Sequence, residues 1–151
     1  MENKKQPQIN ISMPNLINIC VDKKTHGEIS GRLYHCYEKE PVIFGNIIEL
    51  LKIAEDLFEK LGYPQASTKT RRFYETTEII PMQGIRPPKV TEQTEFIKYR
   101  GELGSFVTCV RFRQNSTWQG EVFWMERGIR RQFSNTLNFI KTLDSALATI
   151  E

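Results

Sequence analysis

The sequence has few of the residues that catalytic and metal sites usually require. Among 151 residues there are two histidines and three cysteines. The cysteines have no Cys-x-x-Cys spacing, the histidines have no His-x-x-x-His spacing, and no Walker-type phosphate loop is present. The sequence therefore predicts no catalytic group, no metal ligand and no cofactor, and an enzyme is a less favoured class than a binding protein.

Long apolar runs and a strong excess of one charge are also missing. No stretch approaches the ~20 apolar residues of a membrane helix, and the N-terminal residues lack the apolar segment of a signal peptide. An odd number of cysteines is typical of a reducing compartment. We therefore expect a cytoplasmic protein without membrane association. The net charge of +3 is a weak electrostatic footprint for nucleic acid.

What the chain does contain is an internal repeat with an offset of 89 residues, which needs no gap from residue 17 to residue 61. A coincidence of periodicity between two unrelated units would not explain why three consecutive loops agree in length. We therefore predict a tandem duplication. The identical pairs are Cys20 and Cys109, Val21 and Val110, Gly31 and Gly120, Phe44 and Phe133, Asn46 and Asn135, and Lys52 and Lys141.

Each copy predicts three strands followed by a helix. Alternating apolar residues predict strands over 16–22 and 29–37 in the first copy, and a third, short strand that ends at Phe44. An apolar stripe with helical spacing follows Asn46, a preferred N-cap residue, and predicts a helix over 47–61. The second copy repeats this pattern, with strands over 106–112 and 118–126, a strand ending at Phe133, and a helix over 136–150.

The predicted fold class is α+β, with a mostly antiparallel sheet and two helices on one face, because short hairpin turns force antiparallel neighbours. The predicted organisation is a first repeat over 1–61, a connecting segment over 62–94 and a second repeat over 95–151, together forming one compact pseudo-twofold domain. Further candidate strands lie over 8–12, 71–80 and 95–100.

Arginine and aromatic side chains are concentrated around the second hairpin. Arginine binds phosphates and stacks on rings, and tryptophan and arginine are enriched at interface hot spots. The alternative is that the aromatic residues fill the core while the arginines solvate the outer face, and the alternation of Trp118, Val122 and Trp124 supports this in part. The candidate binding residues are Arg111, Arg113, Gln114, Asn115, Trp118, Gln119, Arg127, Arg130 and Arg131.

Three functions remain open. The first is a non-catalytic binding or adaptor module, a regulatory one included, that uses this hairpin to bind a protein partner. The second is a nucleic-acid-binding protein that adds basic residues of the connecting segment. The third is a small-ligand-binding protein or enzyme with a pocket at the junction of the repeats, where Gln114, Asn115, Gln119 and Glu121 supply polar groups. The absence of catalytic constellations favours the first.

Two expectations concern individual side chains. Cys20 and Cys109 occupy equivalent strand positions and are predicted to be buried, and all three cysteines are predicted to be reduced. Arg111 and Arg113 are predicted to be solvated. Replacing both with serine is therefore expected to leave the melting temperature nearly unchanged.

The stretch from Phe112 to Val122, which contains Trp118-Gln119-Gly120, resembles the signature of an uncharacterised family of small proteins from anaerobic Firmicutes. Residues 30–37, 63–67 and 133–147 are similar to further parts of the same family. The resemblance covers most of the chain. It implies no activity, cofactor or catalytic residue, so no site residue is carried over from it.

Overall fold

The same order of elements, three strands and then a helix, occurs twice along the chain. The computed structural model describes residues 13–64, 87–114 and 117–148. In chain order the elements are β1 (Ile17–Thr25), β2 (Glu28–His35), β3 (Glu38–Phe44), α1 (Ile47–Leu61), the short helix α2 (Gln93–Phe96), β4 (Gly104–Gln114), β5 (Thr117–Trp124), β6 (Ile129–Phe133) and α3 (Thr136–Ala148). We call residues 13–64 the first half and residues 104–148 the second half.

The six strands form one antiparallel sheet in the order β3-β2-β1-β4-β5-β6. In the central pair, Asn18 of β1 lies opposite Val107 of β4. These two residues are separated by the offset of the repeat, so the pairing of β1 with β4 is symmetric about this pair. The predicted α+β class and antiparallel sheet are confirmed. The duplication, as an event in the history of the chain, stays a prediction.

Both long helices pack on one face of the sheet, which we call the helix face. Alternate strand residues point to this face, and in β1 these are Ile17, Ile19 and Val21. Each helix contributes one buried stripe, as predicted, but Ile48 and Leu137, whose spacing also placed them in these stripes, are 61% and 60% exposed. The buried helical residues are Leu50, Ala54, Leu57, Phe58 and Leu61 of α1, and Phe139, Leu143, Ala146 and Leu147 of α3.

An asparagine caps the N-terminus of each of these helices. The Oδ1 atom of Asn46 accepts a hydrogen bond from the Glu49 amide at 2.9 Å, and the Oδ1 atom of Asn135 accepts one from the Asn138 amide at 2.7 Å. Such a bond satisfies one of the amide groups that a helix leaves unpaired at its start. The helix α1 ends at Gly62, whose φ of 61° is in the left-handed region that glycine tolerates.

The opposite face, which we call the second face, is covered over the first half by residues 87–103. Asn18 donates through Nδ2 to the carbonyl oxygens of Phe96 and Tyr99, at 2.9 and 3.0 Å. The prediction of a strand over 95–100 was wrong, because residues 93–96 are helical. The carbonyls of Phe96 and Tyr99, three positions apart, both point to Asn18, whereas in a strand only groups an even number of positions apart point the same way. The other two candidate strands, 8–12 and 71–80, lie outside the described residues.

Candidate functional site

The residues predicted as one binding site are divided between the two faces of the sheet. Arg113 and Trp118 are buried on the helix face, whereas Arg111, Gln119 and Arg130 lie on the second face. Arg131 is exposed at a helix-face position of β6. Arg127 lies in the turn after β5, with its guanidinium carbon 5.3 Å from the centre of the Trp124 ring. Asn115 and the side chain of Gln114 lie outside the described part of the chain.

A β-bulge in β4 explains why Arg113 is buried. The register with β5 shifts between Val110 and Phe112, and an extra residue reverses the alternation beyond it. Alternation with Phe106 and Val110 would place Phe112 in the core, but Phe112 is 54% exposed, whereas the side chain of Arg113 is 5% exposed. The expectation that Arg113 is solvated was therefore wrong. The sequence signal was Lys23, the counterpart of Phe112, which follows the equivalent bulge in β1.

Arg113 joins the two halves. Its Nε atom donates to the Pro64 carbonyl at 2.7 Å, and its Nη1 atom donates to Oε2 of Glu55 and Oε1 of Glu59, both at 2.8 Å. Trp118, opposite Arg113 in the register, donates through Nε1 to Glu55. Arg113 and Trp118 therefore hold α1 of the first half against the second half, which is a structural role.

Lys24 is the counterpart of Arg113 in the first half. It forms an ion pair with Asp144 of α3 at 3.6 Å, and Asp144 is the counterpart of Glu55. Each half thus extends a cation from the end of its first strand to the helix of the other half. The Lys24 pair is more exposed, with 28% and 66% of the two side chains accessible.

Beside the same bulge, the second face presents a group of side chains that we call the Arg111 surface. Nη2 of Arg111 lies 3.4 Å from Oε1 of Glu121, and Nη1 of Arg130 lies 4.0 Å from the same oxygen. The carboxylate is nearly buried, whereas both guanidinium groups are close to half exposed. An open depression of about 460 Å³ lies over this surface and reaches Ser134 and Asn138. The surface consists of Arg111, Phe112, Gln119, Glu121, Arg130 and Gln132.

The first half has an ion pair at the equivalent positions, with the charges exchanged. Asp22 corresponds to Arg111, and Arg32 corresponds to Glu121. Arg32 donates to both carboxylate oxygens of Asp22, at 2.9 and 3.1 Å. Burial disfavours the charged form of Asp22, but hydrogen bonds from Arg32 and from the Glu102 amide outweigh it and hold the pKa of Asp22 below its ordinary value. The hydrogen bonds with Asp22 are also the main reason that the pKa of Arg32 is raised.

This ion pair binds the backbone of the chain itself. Nη2 of Arg32 donates to the Arg100 carbonyl at 2.8 Å, and Oδ1 of Asp22 accepts from the Glu102 amide at 3.1 Å. The ring of Tyr99 stacks on that of Tyr34, with ring centres 4.2 Å apart. Sequence reasoning missed the pair because two charges ten residues apart become neighbours only when the strand register is known. The paired charge exchange within the repeat was the signal that could have revealed it.

The three cysteines are buried, as predicted for Cys20 and Cys109. Burial raises the pKa of Cys20 and of Cys109 from 9.0 to about 11, and it also raises the pKa of Cys36. Because the thiolate is the reactive form, we expect slow labelling of all three by a chromogenic thiol reagent in the folded protein, and complete labelling in guanidinium chloride. Rapid labelling of Cys20 or Cys109 without denaturant would contradict a core role.

Over residues 13–64, 87–114 and 117–148, no group of three or more histidine, cysteine, aspartate or glutamate side chains is arranged to hold a metal ion. In that same part of the chain, no helix has the length and apolarity that crossing a membrane requires. Burial lowers the pKa of His35, whose Nδ1 accepts a hydrogen bond from the Tyr37 amide.

No protein-family model, curated protein or solved structure matches the chain.

Proposed function

We propose that this protein is a non-catalytic binding module that holds an extended segment of a partner protein on the Arg111 surface. The observation that carries the proposal lies in the first half, where the equivalent ion pair holds residues 100–102 through one accepted and one donated backbone hydrogen bond. Arg111 and Glu121 form the same kind of ion pair with their positions exchanged, and the partly exposed guanidinium group of Arg111 offers the donor. A polypeptide backbone is therefore a ligand that suits this arrangement.

The exposed side chains of the Arg111 surface add contacts that stabilise such a complex. Full burial of a phenylalanine side chain contributes roughly 1.5–3 kcal/mol, and Phe112 has about half of its surface available. A hydrogen bond to a charged group contributes about 1.5–3 kcal/mol. These contributions offset only part of the free energy lost on association, which is about 4–15 kcal/mol. Arginine and aromatic residues are also typical of interface hot spots.

Glu121 argues against nucleic acid as the ligand of this surface. Its carboxylate offsets one of the two guanidinium charges beside it, which leaves a local charge of about +1. A phosphate backbone is bound by an extended basic surface instead. Small-molecule sites enclose most of their ligand. The depression here is open and lies within the second half rather than at the junction of the halves. Both features favour a protein partner.

Selection from a library of random linear peptides displayed on phage tests the proposal. We expect the wild-type protein to enrich related sequences, and the Arg111→Ser variant to bind the enriched peptides at least about tenfold more weakly, which is about 1.4 kcal/mol. The affinity falls because the variant loses a charged donor and one of the two cations beside Glu121. Calorimetric titration with synthetic versions of the enriched peptides measures the dissociation constants.

Arg131→Ser is the matched control, because Arg131 is an exposed arginine at a helix-face position of β6. We expect it to leave the affinity unchanged. Arg111→Ser should melt close to the wild-type temperature, since a partly exposed ion pair contributes about 0–1 kcal/mol. The proposal fails if no peptide is enriched, or if the enriched peptides bind Arg111→Ser and wild type equally well.

A further inference from the structure

We infer that the partner segment presents a carboxylate to the Arg111 surface, an inference that rests on the proposed function. Two guanidinium groups, those of Arg111 and Arg130, share the single carboxylate of Glu121. At 4.0 Å, the distance between Arg130 and Glu121 is at the outer limit of an ion pair. A guanidinium group has five N–H donors, so the two arginines can accommodate a second carboxylate.

Comparison of the halves shows that the second cation is placed differently in each. In the first half, the carboxylate of Asp22 makes two hydrogen bonds with Arg32, which also donates to the Tyr34 hydroxyl and the Arg100 carbonyl. Asp22 is therefore paired with one guanidinium group there. The counterpart of Arg130 in the first half is Pro41, which has no charge. The second cation of the first-half surface is instead Lys23, the counterpart of Phe112, so the two surfaces carry equal charge. They differ in that the Arg111 surface places two guanidinium groups beside one carboxylate.

The first turn of the neighbouring helix α3 also has less negative charge than the first turn of α1. In α1, Glu49 lies in the first turn and accepts a hydrogen bond from the Gly45 amide. In α3 the equivalent residue is Asn138, which accepts from the Ser134 amide, and the first turn has no acidic residue. The first turn of a helix carries a partial positive charge. Ser134 and Asn138 border the depression, so no carboxylate of the first turn opposes an anion bound there.

A partner segment can supply the carboxylate from an aspartate or glutamate side chain or from its C-terminus. The test uses the peptides enriched on the wild-type protein, each made with its acidic side chains replaced by the amides, with an amidated C-terminus, and with both changes. We expect one of the single changes to weaken binding to the wild-type protein at least about tenfold, which is about 1.4 kcal/mol. The change that does so identifies the source.

The Arg130→Gln variant gives the decisive comparison. If Arg130 contacts the carboxylate, the same peptide change should weaken binding to Arg130→Gln by less than about threefold, because coupled groups are not additive. Arg131→Gln, the matched control, should show the full loss. Enriched peptides that tolerate both changes on the wild-type protein would overturn this inference and leave the proposed function standing. Failure to enrich any peptide dependent on Arg111 would overturn both. Tighter binding of a single-stranded oligodeoxynucleotide than of the peptides would also overturn both.

Discussion

Replacing Gly120 with alanine should destabilise the protein by about 3 kcal/mol or more, a large effect for one methyl group. A Cβ atom on Gly120 would lie 2.0 Å from the carbonyl oxygen of Cys109 and 2.9 Å from the Cα atom of Val110. Neither atom belongs to a flexible side chain, and β4 is bonded to a strand on each side. Relief therefore requires β4 and β5 to separate. The midpoint of urea unfolding measures the change.

Two further glycines serve as controls for this prediction. Gly31 is the counterpart in the first half, where a Cβ atom would lie 1.9 Å from the Cys20 carbonyl oxygen, so Gly31→Ala should cause a similar loss. At Gly45 the nearest atoms belong to the Glu49 carboxylate at 3.5 Å, and Gly45→Ala should change stability by no more than about 0.5 kcal/mol. An unchanged unfolding midpoint for Gly120→Ala would show that β4 and β5 lie further apart than described.

The fold was predictable because each half supports the assignment of the other. A short apolar run is ambiguous between strand and helix, but the same run followed by the same turn at the same offset is less so. The N-cap positions show this most clearly. Asn46 and Asn135 predicted both helix starts, and the structure places α1 at Ile47–Leu61 and α3 at Thr136–Ala148.

The face on which Arg113 lies was not predictable from alternation alone. The alternation rule assigns one residue to each pleat, and a bulge adds a residue without changing the apolar character of the strand. Beyond Val110 the rule therefore placed Phe112 in the core and Arg113 in solvent, the reverse of the structure. The repeat indicated the exposed position of Phe112, because its counterpart is Lys23 and a lysine is unfavourable in a core.

The candidate site was only partly predictable, because it depends on contacts between strands. Arg111, Gln119 and Arg130 were selected for their chemistry, and the structure places them on the second face. Glu121 becomes central only when the register puts it beside Arg111. The two halves then differ in one respect that no single residue reveals: the first half uses its ion pair to hold residues 100–102, whereas the second half leaves Arg111 and Arg130 partly exposed.

Replacing Arg113 with methionine should lower the free energy of unfolding by roughly 2–3 kcal/mol. The variant leaves the Pro64 carbonyl without its donor and removes the cation that joins Glu55 and Glu59. Breaking a fully buried ion pair costs about 3–5 kcal/mol. A smaller loss is expected here because the two carboxylates are 43% and 67% exposed, so water solvates them. The melting temperature should fall on the order of 5–10 °C.

Lys24→Met is the matched control, because Lys24 occupies the same position in the first half and is more exposed than Arg113, with 28% of its side chain accessible against 5%. We expect this variant to stay within about 0.5 kcal/mol of the wild type. Folded Arg113→Met should still bind the enriched peptides with wild-type affinity, since Arg113 lies on the helix face and Arg111 on the second face. A normal melting temperature together with lost peptide binding would instead show that Arg113 belongs to the binding surface, and the division of the two arginines between opposite faces would be wrong.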